Sequence, residues 1–162
     1  MAQSLNSTID VPRGTVTIPD IVVKKSDLFD IGKLTILWLG MVKELYPDEK
    51  PNEKWWESYM VAFMNNINYH CYHALHHDKY VGFMDSLLLG DPISGKIIAQ
   101  GIHCYVYPEY RERAGYALFS RMMKEGRKRK IEMFELNCAP TNKDYWEKHG
   151  MKCFGHHMRR EL

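Results

Sequence analysis

Residues 106–118 read Val-Tyr-Pro-Glu-Tyr-Arg-Glu-Arg-Ala-Gly-Tyr-Ala-Leu. An apolar strand ends at Pro108, passes a turn carrying Arg111 and Arg113, crosses the small pair Ala114 and Gly115, and starts a helix. A helix entered this way leaves its first backbone N–H groups without intrahelical acceptors. Those donors sit at the positive end of the helix dipole. With the two arginines they favour a bound anion, a phosphate or pyrophosphate above all. The turn alone leaves a second reading open, an ordinary strand–turn–helix with solvated arginines.

The pattern around this turn is mixed. Residues 1–14 read as a loose arm, and 15–162 as a single domain. Residues 15–25, rich in Val, Ile and Thr, predict an edge strand interrupted at Pro19. Ser26 can cap a helix beginning at Asp27, with Ile31, Leu34, Trp38, Met41, Val42 and Leu45 along one face. A charged, proline-containing loop (46–53) leads to a second helix with Trp56, Tyr59, Met60 and Phe63 on its inner stripe. The period then changes, and residues 69–77, 80–89 and 96–107 predict an antiparallel meander. A helix over 114–124, ended at Gly126, carries the chain to a strand at 131–138 that returns parallel through a right-handed crossover. Thr141 and Asp144 form a capping box for a short last helix, and 151–158 is a final strand.

Three motifs recur here in a fixed order. Residues 78–83 read Asp-Lys-Tyr-Val-Gly-Phe, residues 106–117 form the turn above, and residues 145–151 read Tyr-Trp-Glu-Lys-His-Gly-Met. In this order and at these spacings the chain resembles the GNAT N-acetyltransferase superfamily across roughly residues 20–160. The resemblance implies an α/β (α+β) mixed sheet of about six or seven strands flanked by four helices. In that layout the fourth and fifth strands splay apart and acetyl-CoA enters the gap. The pantetheine edge would be Cys104 to Val106. The pyrophosphate loop would comprise Arg111, Arg113, Ala114, Gly115, Tyr116 and Ala117.

Two departures stand out. The family often places a tyrosine acid four residues before the last motif's glycine. That position holds Trp146, and the tyrosine is one earlier, at Tyr145. One helical step rotates a side chain by about 100°, and an indole N–H is no useful proton source. The phosphate loop is one residue short and has a single glycine, with Tyr116 beside it. For the base, strict alternation puts Gln100, Ile102, Cys104 and Val106 on one face of the strand, none of them a carboxylate. His103 on the opposite face and Glu135 on the next strand are the nearest titratable groups. The catalytic candidates are therefore Tyr145 and His103, and Cys104 reads as packing. Two functions remain open: an acetyl-CoA-dependent N-acetyltransferase acting on an amine of a small molecule or protein, and a degenerate member using the fold for assembly or binding, as some phage-encoded ones do. In the enzyme, the acceptor would lie between the 46–53 loop and the 90–95 hairpin. There Asp48, Glu49, Glu53 and Glu57 would attract a cation.

His70, Cys71, His73, His76 and His77 cluster on one strand, with Cys71, His73 and His77 sharing a face. The spacing matches no standard zinc pattern, so no metal is expected. The basic run 127–130 reads as a solvated turn at a helix end. With 26% charged and 45% hydrophobic residues over 162 positions, the chain is expected to fold as an ordinary globular domain. A net charge of +2 gives no case for nucleic-acid binding, and no segment is long and apolar enough to suggest a membrane. The four cysteines lack CxxC spacing, which suits reduced thiols in a cytoplasmic setting. A homodimer is among the assemblies these features admit.

Overall fold

The computed structural model describes residues 20–136 and 142–152. The chain divides into two compact units, Ile18–Leu136 and a second made of Met1–Thr17 with Asn137–Leu162. The first holds a five-stranded sheet in the order β1-β2-β3-β4-β5: β1 (Ile21–Lys25), β2 (Tyr69–His76), β3 (Lys79–Gly90), β4 (Ile97–Val106) and β5 (Met133–Leu136). The first four strands pair antiparallel, and β5 joins β4 in parallel through the crossover helix α3 (Tyr116–Lys128). The mixed sheet is as expected. Five strands lie among the described residues, and the final strand expected at 151–158 falls almost wholly outside them, as does the part of the first strand before residue 20.

α1 (Ile31–Leu45) and α2 (Glu53–Met64) cover one face of the sheet. Ile31, Leu34, Leu37 and Met41 from α1 pack with Trp56 and Met60 from α2 on Tyr69, Cys71, Phe83 and Tyr105. Trp56 is the largest fully buried side chain and stacks on Trp38 at 4.8 Å. Burying each such side chain contributes about 1.5–3 kcal/mol. On the other face α3 presents Leu118, Phe119 and Met122.

Ser26 does not cap the first helix. Asp27 caps a 3-10 turn (Leu28–Asp30) that leads into α1, accepting from the Phe29 N–H in a reciprocal box with Asp30. Ser26 is instead buried, with its hydroxyl 3.0 Å from His73 Nδ1. Gly126 does not end α3, which runs two residues further. The Lys130 N–H donates to the Arg127 carbonyl and the Ile131 N–H to that of Gly126, with Lys130 left-handed at φ 55°. That is a Schellman ending with lysine in glycine's usual place. Arg127 and Lys128 consequently form the helix's last turn rather than a following loop. In the second unit α4 (Lys143–Lys148) begins after Asn142, which makes no side-chain cap, and the expected cap Thr141 lies outside the described residues. Among the described residues no helix is long and apolar enough to cross a membrane.

Candidate active site

β4 carries one residue too many for β3. Met84 pairs with Cys104 and Ser86 with Gly101, so two steps on β3 face three on β4. The excess forms a β-bulge at Ile102–His103 opposite Asp85, and a bulge re-aims both backbone and side chain. The His103 N–H donates to Asp85 Oδ1 at 2.6 Å, and the His103 ring brings Nδ1 to 2.9 Å from Oδ2. The Tyr69 hydroxyl donates to the same Oδ2 at 2.6 Å. Asp85 is wholly buried. A carboxylate in that position costs several kcal/mol unless donors surround it, and here three do.

An acceptor-only carboxylate fixes the imidazole tautomer: Nδ1 carries the proton and donates, which leaves the lone pair on Nε2. Asp85 thus orients the His103 ring, an arrangement that can accept a proton at Nε2 and stabilise the imidazolium that results. The rings of Trp56 (5.2 Å) and Tyr59 (6.0 Å) stand edge-on to the imidazole, and the ring of Phe83 lies at 6.4 Å. Burial, reinforced by Asp85, pushes the Tyr59 phenol up to about 12 and holds that of Tyr69 far above the ordinary range. Both remain protonated donors at neutral pH.

The bulge follows directly on Gly101, which pairs with Leu136, the last described residue of β5. β5 pairs only with Ile98–Gly101, so Ile102–Val106 has no β5 partner among the described residues. The splay expected between these two strands involves residues 137–138, outside the described residues. The Cys104 thiol, pushed up to about 12 by burial and then by Asp85, is not a nucleophile. Beyond Val106 the chain enters a 3-10 turn (Pro108–Tyr110), a widened π-type turn (Arg111–Gly115) and then α3. Such π turns are common at functional sites. Gly115 is right-handed at φ −60°, so its value lies in lacking a side chain, and it is buried beside Ala114. Tyr116 and Ala117 follow, both half-buried. Both arginines already have carboxylate partners, Arg111 with Glu44 and Arg113 with Asp20 at 3.9 Å. Arg111 Nε also donates to the Val106 carbonyl at 3.3 Å. These ion pairs are exposed, and such pairs are typically worth under about 1 kcal/mol, so a stronger anion can displace them.

The structure thus brings His103, Cys104, Val106 and the 111–117 turn onto one strand and its exit. Tyr145 belongs to the other unit, half-buried on α4 beside the buried Trp146, and His149 Nδ1 lies 2.8 Å from its carbonyl oxygen. Glu135 is exposed on β5, opposite Gln100 in the ladder. Asp48, Glu49, Glu53 and Glu57 are likewise exposed. The expected single face for Gln100, Ile102, Cys104 and Val106 does not form. The bulge resets alternation, and Gln100 pairs with Leu87 on the face that His103 occupies. The carboxylate that this strand lacks comes from β3. A signal for Asp85 existed, a lone acid inside the apolar run 81–89, whereas the bulge left no mark in the pattern.

The profile of the acetyltransferase (GNAT) family matches residues 36–151. Among curated proteins, none matches this sequence. Solved structures with the same fold include an aminoglycoside acetyltransferase from an uncultured soil metagenomic sample in complex with sisomicin (TM-score 0.69, 16% identity, covering 88% of this chain and 97% of that one). A ribosomal-protein-alanine N-acetyltransferase from Brucella melitensis biovar Abortus 2308 is similar at TM-score 0.70 and 17% identity, over 88% and 99% of the two chains. A predicted acetyltransferase with acetyl-CoA from Clostridium acetobutylicum gives TM-score 0.73 at 16% identity, over 88% and 96%. The family profile spans well over half of the sequence, and the mixed sheet with its parallel crossover agrees: this chain belongs to the GNAT acetyltransferase family.

Proposed function

We propose that the protein is an acetyl-CoA-dependent N-acetyltransferase in which the Asp85–His103 pair is the base. The carrying observation is that pair, the wholly buried Asp85 and the half-buried His103, brought together by the β3–β4 bulge. The residues fit acetyl-CoA. The small buried Ala114 and Gly115 let a phosphate approach the turn, directly after the β4 segment Cys104–Val106 that the family layout gives to the pantetheine. Arg111 and Arg113 exchange their carboxylate partners for the phosphates. Bound there, acetyl-CoA supplies the acetyl group as a thioester. His103 Nε2 takes the proton from the acceptor amine, directly or through a water, and Asp85 stabilises the resulting imidazolium. Trp56 and Tyr59 wall the imidazole and keep its surroundings weakly polar.

The acceptor is an amine, as in the aminoglycoside and ribosomal-protein-alanine acetyltransferases of the same fold. The exposed acids of the 46–53 loop and the start of α2 suit a cationic one. Calorimetry with acetyl-CoA, followed by turnover with a panel of amines, tests this reading. His103→Gln is expected to retain acetyl-CoA binding and to lower kcat about 100-fold or more. Failure of the unmodified chain to bind acetyl-CoA at millimolar concentration would favour a non-catalytic use of the fold.

A further inference from the structure

Two other histidines stand together at the far end of β2. The β1–β2 ladder pairs Ile21 with His76, which sets Asp20, one residue before, beside His77, one residue after. The side-chain donor atoms of Asp20, His76 and His77 all lie within 4.8 Å of one another. His76 is half-buried with its ring 5.1 Å from that of Tyr110, while Asp20 and His77 are exposed. Of the three, only Asp20 has an ion pair named among the described residues, the 3.9 Å contact with Arg113, at the long end of the range.

We propose that Asp20, His76 and His77 form a binding site for a borderline divalent metal ion of the zinc class. Two imidazoles and one carboxylate suit zinc, cobalt or nickel rather than calcium or magnesium, which take oxygen ligands. Ligand atoms around a tetrahedral zinc lie about 3.4 Å apart, a spacing these side chains reach by small rotations, since two of the three are exposed. Three protein ligands leave the remaining positions to water. His73 and Cys71, which strand alternation groups with His77, take no part. Both are buried on the α1–α2 face, and His73 is engaged by Ser26 and by Asp30 at 3.7 Å. The site is separate from Asp85 and His103, and the proposal does not rest on the proposed reaction. Metal binding there draws Asp20 away from Arg113 of the phosphate turn.

The test is calorimetric titration of the metal-free full chain with zinc chloride, repeated with cobalt and read by its visible absorption. One zinc per chain is expected. His77→Ala and Asp20→Asn should each weaken binding about tenfold or more while leaving the circular dichroism spectrum unchanged. The sequence also carries His156 and His157, so the double variant His156→Ala/His157→Ala is the control, expected to bind as the unmodified chain does. No binding at about 100 µM zinc, or binding lost in the control yet kept in His77→Ala, overturns the proposal.

Discussion

His70 and His103 occupy opposite faces of one sheet and differ in one respect that decides their chemistry. His103 has Asp85. His70 is buried against α3 beside a small cavity lined by Met122, Met123 and Ser86, and neither ring nitrogen has a hydrogen-bond partner among the described residues. Burial, then the nearby Arg129 and Lys25, lowers its pKa from 6.5 to about 4. The sign follows from proton counting. Below about pH 6.5 the unfolded chain binds a proton at His70 that the folded chain refuses until about pH 4, so stability falls with pH across that window, by up to about 3 kcal/mol. His70→Leu should therefore flatten the acid limb of a Tm-against-pH curve, and an unchanged slope between pH 6.5 and 4 counts against this account. Asp85, unlike His70, has its partners: Tyr69 and the ring and backbone N–H of His103. Tyr69→Phe deletes one and should cost about 1.5–3 kcal/mol in urea denaturation.

At the scale of elements, helices and hairpins were legible because period and turn chemistry agree over many residues. The stripe Trp56, Tyr59, Met60 and Phe63 reads directly as the inner face of α2, and Trp56 and Met60 are indeed buried. Ends were less legible. Gly126 looks like a stop signal, yet it is the third residue from the end of α3, its carbonyl accepting from the Ile131 N–H at 3.0 Å, while Lys130 takes the left-handed position. The left-handed conformation costs an L-residue about 1–2 kcal/mol. Glycine escapes that cost and gives back part of it as unfolded-state entropy, so Lys130→Gly is expected to stabilise by about 0.5–1 kcal/mol. Loss of stability would show that the lysine side chain has a use. Gly82 makes the opposite point. A Cβ there would stand 2.7 Å from Val106 Cγ2 and 2.9 Å from the Tyr105 carbonyl oxygen, so β3 and β4 could not keep their spacing. Gly82→Ala is expected to cost about 1–3 kcal/mol, read as a lower denaturation midpoint.

For the molecule as a whole, motif order conveyed the crossover and the family, since three weak motifs in one sequence order restrict topology far more than any one does. The candidate site was legible only in part. His103 could be named from its place on the strand. Its partner could not, because a bulge depends on how two strands pair, and alternation along a single strand carries no trace of that. The same gap bears on the last helix. Tyr145 and Trp146 are one step apart on α4, with rings at 85° and different burial, so they cannot exchange roles without the helix turning. With Asp85 and His103 proposed as the base, the expected weakness is on the acid side, where an indole stands at the family's tyrosine position. Trp146→Tyr should then raise kcat, and Tyr145→Phe should change it little, both measured under saturating acetyl-CoA with the fold checked by circular dichroism. Acid assistance is typically worth about 100-fold or more. A loss of that size in Tyr145→Phe would identify Tyr145 as the acid and place the helix one step from the family's usual setting.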